Sequence, residues 1–226
     1  VRRINPGSKI IAHMQALMDV FTKQVVHLLF IVMIFCYGKA HSQQTLARHT
    51  DITESTDEEG ETYILSPVNA HPHAKALLTE KFYWNDTDES CPFGNDDGAD
   101  AFYAFRQWRI SNKDSSPVLF LKELIKSWGY PQFDLNETNA QAIGQYISLH
   151  PMGDMSLLGQ DNAIIAVAFG QLILEGRIVS EMQALSRAAI RRQLLPLLLN
   201  PFEEEYRALR IDKLNRMLQT LNKLDR

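Results

Sequence analysis

The sequence predicts a mainly α-helical fold: a compact multi-helix domain with an irregular, acidic amino-terminal portion. Three observations carry that expectation. From Gly98 onward, apolar residues recur at spacings of three and four, the repeat of one helix face. Cap and breaker residues such as Ser116-Pro117, Gly129 and Asn200-Pro201 divide that stretch into helix-sized pieces. Proline and glycine, at 9 and 11 of 226 residues, are too few for a collagenous or low-complexity chain.

The amino end reads as a targeting segment. Val25 to Gly38 (VVHLLFIVMIFCYG) is a run of fourteen mostly apolar residues, followed by polar Lys39-Ala40-His41-Ser42. A secretory apolar region spans about 7–15 residues, and a membrane-crossing helix needs about 18 or more. The length favours a cleaved signal over an uncleaved anchor or a buried core helix. Ala40 and Ser42 are small residues two apart, which sets the expected cleavage before Gln43. Lys23 supplies the preceding positive charge, and Met14 or Met18 is an alternative start. The expected localisation is therefore export, periplasmic or extracellular, with anchoring by an uncleaved signal as the alternative. The N-terminal segment, where it is retained, would keep the protein near a membrane.

Residues 1–42 thus form an upstream segment and signal, and 43–62 a flexible acidic tether without apolar periodicity. Residues 63–226 form a single, mainly helical domain. Without residues 1–42 the chain keeps 18 basic and 26 acidic residues, a net charge of −8. That balance argues against nucleic acid as a partner, since such proteins present basic surfaces. Cys36 leaves with the signal, so Cys91 remains alone, without a partner for an internal disulfide. The charge is also uneven: residues 43–105 carry a net −10 and residues 106–226 a net +2.

The helices follow in order. Asp96 or Asp97 is placed to cap a helix reaching about Ile110, with Asp100 near its positive end and Arg106 and Arg109 near its negative end. Ser116-Pro117 is a cap followed by proline at the first helical position, opening a helix that buries Leu121, Leu124, Ile125 and Trp128 and stops at Gly129. Residues 137–149 form a shorter helix, ending near His150-Pro151, and Met152-Gly153-Asp154 reads as a turn. Asp161 or Asn162 is expected to cap an apolar helix through Leu174, apolar nearly all round and hence central. A strand over 163–168 is the alternative, given its β-branched residues. A further helix starts near Ser180 and is kinked or ended by Pro196. The last begins after Pro201 and carries Ile211, Leu214, Leu218 and Leu221 on one face. Internal packing is the favoured use of that face, and a protein partner the alternative.

Chemistry concentrates in residues 69–100. His71 and His73 flank Pro72, with Lys75 close by, and Phe82-Tyr83-Trp84 is an aromatic run. Asp86, Asp88, Glu89, Asp96, Asp97 and Asp100 place six carboxylates within fifteen residues. Carboxylates so close repel one another unless a cation, bases or solvent separate them. Calcium takes six to eight oxygen ligands from such Asp/Asn/Gly loops, so Asp86, Asp88, Asp96, Asp97 and Asp100 are candidate calcium ligands, although the spacing is not that of an EF-hand. Zinc through His71 and His73 would have only two ligands. His71, Lys75 and Trp84 are candidate ligand-binding residues beside that loop. The competing structural reading makes the acids turn, cap and first-turn residues. Catalysis has no complete constellation: GxSxG, SxxK and HExxH are all missing. Asn85-Asp86-Thr87 and Asn136-Glu137-Thr138 match the glycosylation sequon.

The runs SPVNAHPHAKALLTEKFYW (66–84), DTDESCPFGNDDGADAFYAFRQWR (86–109) and SPVLFLKELIKSWG (116–129) resemble the bacterial YfeS-like family of uncharacterised proteins. The resemblance covers about 65 residues, and its PFGNDDGAD core is distinctive because no common fold demands that order. It implies that 66–129 form a unit and a bacterial source, and it supplies no activity. An export signal departs from the family pattern. The expected function is a binding or structural module with an acidic metal or small-ligand site at 71–100. The alternative is a metal-assisted hydrolase using the same acids.

Overall fold

A computed structural model describes residues 63–224, and eight α-helices account for most of them. The apolar run 25–38, the cleavage site before Gln43 and the 43–62 tether lie outside the described residues. In chain order the helices are α1 (Pro72–Leu77), α2 (Asp96–Ser111), α3 (Pro117–Ser127), α4 (Ala140–Leu149), α5 (Gly153–Glu175), α6 (Ser180–Gln193), α7 (Pro196–Leu199) and α8 (Glu204–Lys223). Single 3-10 turns occupy Pro67–Asn69 and Lys81–Trp84. Among the described residues there is no strand, so 163–168 is helical.

Helix starts follow the side chains able to accept a backbone N–H. Asn95, one residue ahead of the expected Asp96, caps α2 by accepting from the Gly98 amide at 2.8 Å. That leaves Asp96 and Asp97 in the first turn, where the positive end of the helix favours their charge. Ser116 accepts from Val118 N, and Pro117 holds the first position of α3, as its sequence dictates. Asn139 caps α4 through Gln141 N and Ala142 N.

Helix α5 corrects the sequence reading. It begins at Gly153, eight residues before Asp161, so the expected turn shrinks to Pro151-Met152. Met152 takes the left-handed conformation, φ 56°, to turn the chain into the helix. Asp161 therefore sits in the third turn and beyond any cap position, and its carboxylate bonds a distant side chain instead.

The core is built around α5. Leu157, Ile164, Val167, Phe169 and Leu172 are fully buried along it. Each such side chain contributes about 1.5–3 kcal/mol through burial. Helices α2 and α6 pack most extensively on α5, with α1, α3 and α4 also against it and α8 against α6. Because α5 is covered from several sides, its sequence shows no polar face. Phe102 of α2 meets Phe93 at 4.7 Å between ring centroids and Tyr63 edge-on at 5.8 Å. On α8, Leu214 and Leu221 are buried in the same core, and Leu218 packs against it. Those three leucines are spent internally, while Ile211 of the same expected face is half-buried and outside the core clusters. A smaller cluster of Ile143, Tyr146, Leu157 and Leu198 joins α4 to α5 and α7, and Phe133 of the α3–α4 connection packs onto it.

Candidate functional site: a cleft walled by a pinned loop

The acidic stretch resolves into separate structural tasks. Asn85 accepts from Thr87 N at 2.8 Å and Asp88 N at 2.9 Å, which closes a side-chain-mediated turn. Asp88 Oδ1 accepts from Ser90 N at 3.0 Å, and its Oδ2 is an ion partner of Lys213 on α8. Lys213 also donates to Ser90 Oγ at 2.7 Å. Partial burial pushes the Asp88 carboxyl up, but Lys213 and Ser90 outweigh it and hold the group below the usual range. Gly94 lies against the Asp88 backbone so closely that any β-carbon would collide with the Asp88 carbonyl. Cys91 is a buried thiol whose pKa burial pushes up to about 11, against the pull of Lys213.

The expected convergence of carboxylates does not occur. Asp86 and Asp96 are exposed, Asp100 is exposed on α2, Asp88 is taken by Lys213, and Asp97 accepts from Tyr130 OH at 2.7 Å. Among the described residues, no three His, Cys, Asp or Glu side chains are grouped to hold a metal ion. The turn and cap roles account for this segment, and the calcium arrangement is not formed by these five residues. His71 is exposed and caps α1, accepting from His73 N at 3.1 Å, while its own amide donates to Ile173 O at 2.8 Å. Lys75 donates to Val68 O at 3.0 Å, and Trp84 Nε1 donates to Leu78 O at 2.9 Å. These three polar groups tie the amino-terminal segment down, and none of them lines the cleft between α3, α5 and α6.

A sizeable cavity lies elsewhere. A cleft of about 550 Å³ opens between α3, the 130–136 segment, Gln160 of α5, and Glu181 and Leu185 of α6. One wall is the irregular connection from Gly129 to Asn139. A connection of this kind has backbone groups that must find partners, and buried side chains supply them. Tyr146 OH donates to Pro131 O at 3.0 Å. Arg192 Nη1 donates to Leu135 O at 2.7 Å and Glu137 O at 2.9 Å. At the near end of the loop, Tyr130 OH reaches Asp97 across Gly159. A β-carbon on Gly159 would stand 2.7 Å from that hydroxyl and 3.0 Å from the Asp97 carboxylate, so only glycine admits the bond.

Arg192 is the centre of this arrangement and is fully buried. Its Nη2 and Nε bond the equally buried Asp161 carboxylate, at 2.6 Å and 3.0 Å to Oδ1. Phe133 lies against the guanidinium, 5.3 Å from its ring centroid. Burial pushes the Asp161 carboxyl up to about 7, against the opposing pull of Arg192 and Arg210. One guanidinium thus satisfies a buried carboxylate and fastens the cleft wall to α5.

Sequence reasoning missed these residues. Asp161 looks like a cap at the head of an apolar run, and Arg192 looks like one of several basic residues in a last turn. The available signal was the segment 128–133, in which Trp128, Tyr130 and Phe133 alternate with Gly129, Pro131 and Gln132. Aromatic residues clustered in a connection need something to pack on.

Fold and site together define an all-α domain with a rigidly anchored loop walling a cleft. No family model matches the chain, and no solved structure matches it. It is similar to the uncharacterized protein YfeS of Escherichia coli (strain K12), with 25% identity over 127 residues, 56% of this chain and 51% of YfeS. The match spans about half the length of that relative. The YfeS-like character read from residues 66–129 is supported by this partial match.

Proposed function

We propose that the protein is a small-molecule-binding module whose site is the cleft between α3, α5, α6 and the 130–136 segment. The observation that carries this reading is the cleft itself. Its volume of about 550 Å³ falls within the range of ligand pockets, about 300–1,000 Å³. Its anchored wall supports the same reading, because a preformed site spares a ligand the cost of ordering the loop. The site takes over the role that the sequence reading gave to residues 71–100. Binding without chemistry is favoured because no nucleophile and base are paired in the cleft lining.

A ligand-observed NMR fragment screen on the full chain tests this. Leu185 is buried at the cleft and lines it, so Leu185→Trp fills the space. Fragments should bind the wild type and lose that binding in a Leu185→Trp variant of native circular dichroism. Fragments that bind both proteins alike would place the site elsewhere. Export remains part of the proposal, supported by the apolar run 25–38 and the small residues Ala40 and Ser42. Amino-terminal sequencing of protein recovered from the cell envelope or medium should begin at Gln43.

A further inference from the structure

The polar groups of the cleft are few and specific in type. Gln160, at 1% exposure, lies in its floor. The Gln160 amide nitrogen is spent on protein acceptors: Ser156 O at 3.2 Å, Tyr146 OH at 3.3 Å and Pro131 O at 3.5 Å. Two of those three are carbonyls, which only accept, so the amide orientation is fixed. Oε1 is then the acceptor left over, and no donor among the described residues reaches it. That acceptor is the polar group in the cleft floor to which a ligand N–H or O–H would donate.

On the rim, α3 presents Lys122 and Lys126, one helical turn apart and both exposed. Neither has a carboxylate within ion-pair distance among the described residues. Glu181 stands on the α6 side, and Asp134 Oδ1 is taken by Asn136 N at 3.0 Å. An anionic group is therefore drawn to the α3 side and repelled from α6. Ile125, Leu135, Leu185 and Phe133 give the space between an apolar lining.

Resting on the reading of the cleft as a binding site, we infer that its ligand class is an amphipathic carboxylic acid. The carboxylate lies on Lys122 and Lys126, the apolar body fills the cleft, and a hydroxyl or amine at the inner end donates to Gln160 Oε1.

The probes are 3-(4-hydroxyphenyl)propionate, its neutral amide, and 3-phenylpropionate, titrated calorimetrically into the full chain. The hydroxylated acid should bind most tightly, with each of the others weaker by about tenfold. Lys122→Gln with Lys126→Gln should erase the preference for acid over amide while leaving amide affinity unchanged. Raising ionic strength should weaken the acid alone, since exposed charges are screened. Equal affinity of acid and amide in the wild type, or an acid preference that survives both lysine changes, would overturn the ligand class. Loss of all probe binding in Leu185→Trp would in that case still keep the cleft as the site. Probe binding unchanged by Leu185→Trp would overturn both the site and the ligand class.

Discussion

Replacing Arg192 by methionine isolates what its guanidinium does. The change keeps an unbranched apolar stem and removes every charged donor. Asp161 is then left fully buried without a cation, and the carbonyls of Leu135 and Glu137 lose their partners. Removing one member of a buried pair costs about 3–5 kcal/mol. The two loop carbonyls add little to that figure, because their residues are partly exposed and water can replace the donor. In a domain of this size about 1 kcal/mol moves the melting temperature by about 2–4 °C, so a fall of about 10 °C is expected. Arg192→Met combined with Asp161→Leu should be more stable than Arg192→Met alone, since an apolar pair of similar volume replaces a buried ion pair at little cost. Urea unfolding followed by tryptophan fluorescence gives the four corners of the cycle, with a coupling of about 2 kcal/mol or more expected. Hydrogen exchange supplies the decisive second reading. In the double variant, global stability returns but amides of 131–139 should exchange faster, because nothing holds the loop carbonyls. A loss below about 1 kcal/mol in Arg192→Met, or unchanged loop exchange in the double variant, would refute the reasoning. The pH dependence has a definite sign. Arg192 pulls the Asp161 carboxyl down against burial, so its removal raises that pKa further above the unfolded value. A native pKa above the unfolded one means stability is lost as pH rises between the two. The gap between Arg192→Met and wild type should therefore stay level below the wild-type Asp161 pKa of about 7 and widen above it.

Three further outcomes follow from the amino-terminal segment. Gly94→Ala should destabilise by about 2–3 kcal/mol in chemical denaturation, because the new β-carbon meets backbone that cannot swing aside; a neutral result would mean the 88–94 turn is not packed as described. Cys91, with its pKa pushed up to about 11 by burial, holds only about one thiolate in a thousand at pH 8. Cys91 in the native protein should accordingly resist iodoacetamide until urea unfolds it, and its rapid labelling without denaturant, read by peptide mapping, would contradict the packing. The Asp88 carboxyl, held low by Lys213 and Ser90, stabilises the fold above its unfolded pKa and ceases to as pH falls through its lower native pKa. Lys213→Met should flatten that acid limb of the stability curve, and an unchanged limb would remove Asp88 from the account.

The fold was legible wherever a local rule sufficed. Ser116-Pro117 and Gly129 bound α3 because capping and proline geometry depend on adjacent residues. The inward face of α8 follows from the spacing of Leu214, Leu218 and Leu221. The start of α5 was not legible, because Asp161 has two possible duties and sequence proximity suggests only the cap. Its actual partner lies 31 residues onward, across a helix–helix contact. Carboxylate density gave a similar false lead. Six acids in fifteen residues imply a common ligand only if the chain brings them together. Here Asn85, Gly94 and Asn95 turn it so that Asp88 and Asp97 meet separate partners while Asp86 and Asp96 are exposed.

Asp97 connects the part of the sequence that is distinctive with the part that is concave. The PFGNDDGAD stretch sets Asn95 as a cap and Asp97 in the first turn of α2, beside α5 at Gly159. Gly159 leaves room for Tyr130 to reach Asp97, and Tyr130 lines the cleft. Burial, reinforced by Asp97, raises the Tyr130 pKa, so the phenol keeps its proton and remains a donor. The acid-rich motif thus positions a cleft wall from one end while Arg192 holds it from the other. A segment that needed only to cap α2 would have no use for Asp97 opposite a glycine on α5. The arrangement is economical if the loop between Tyr130 and Glu137 must keep a fixed shape, and a cleft that selects a ligand requires such a shape.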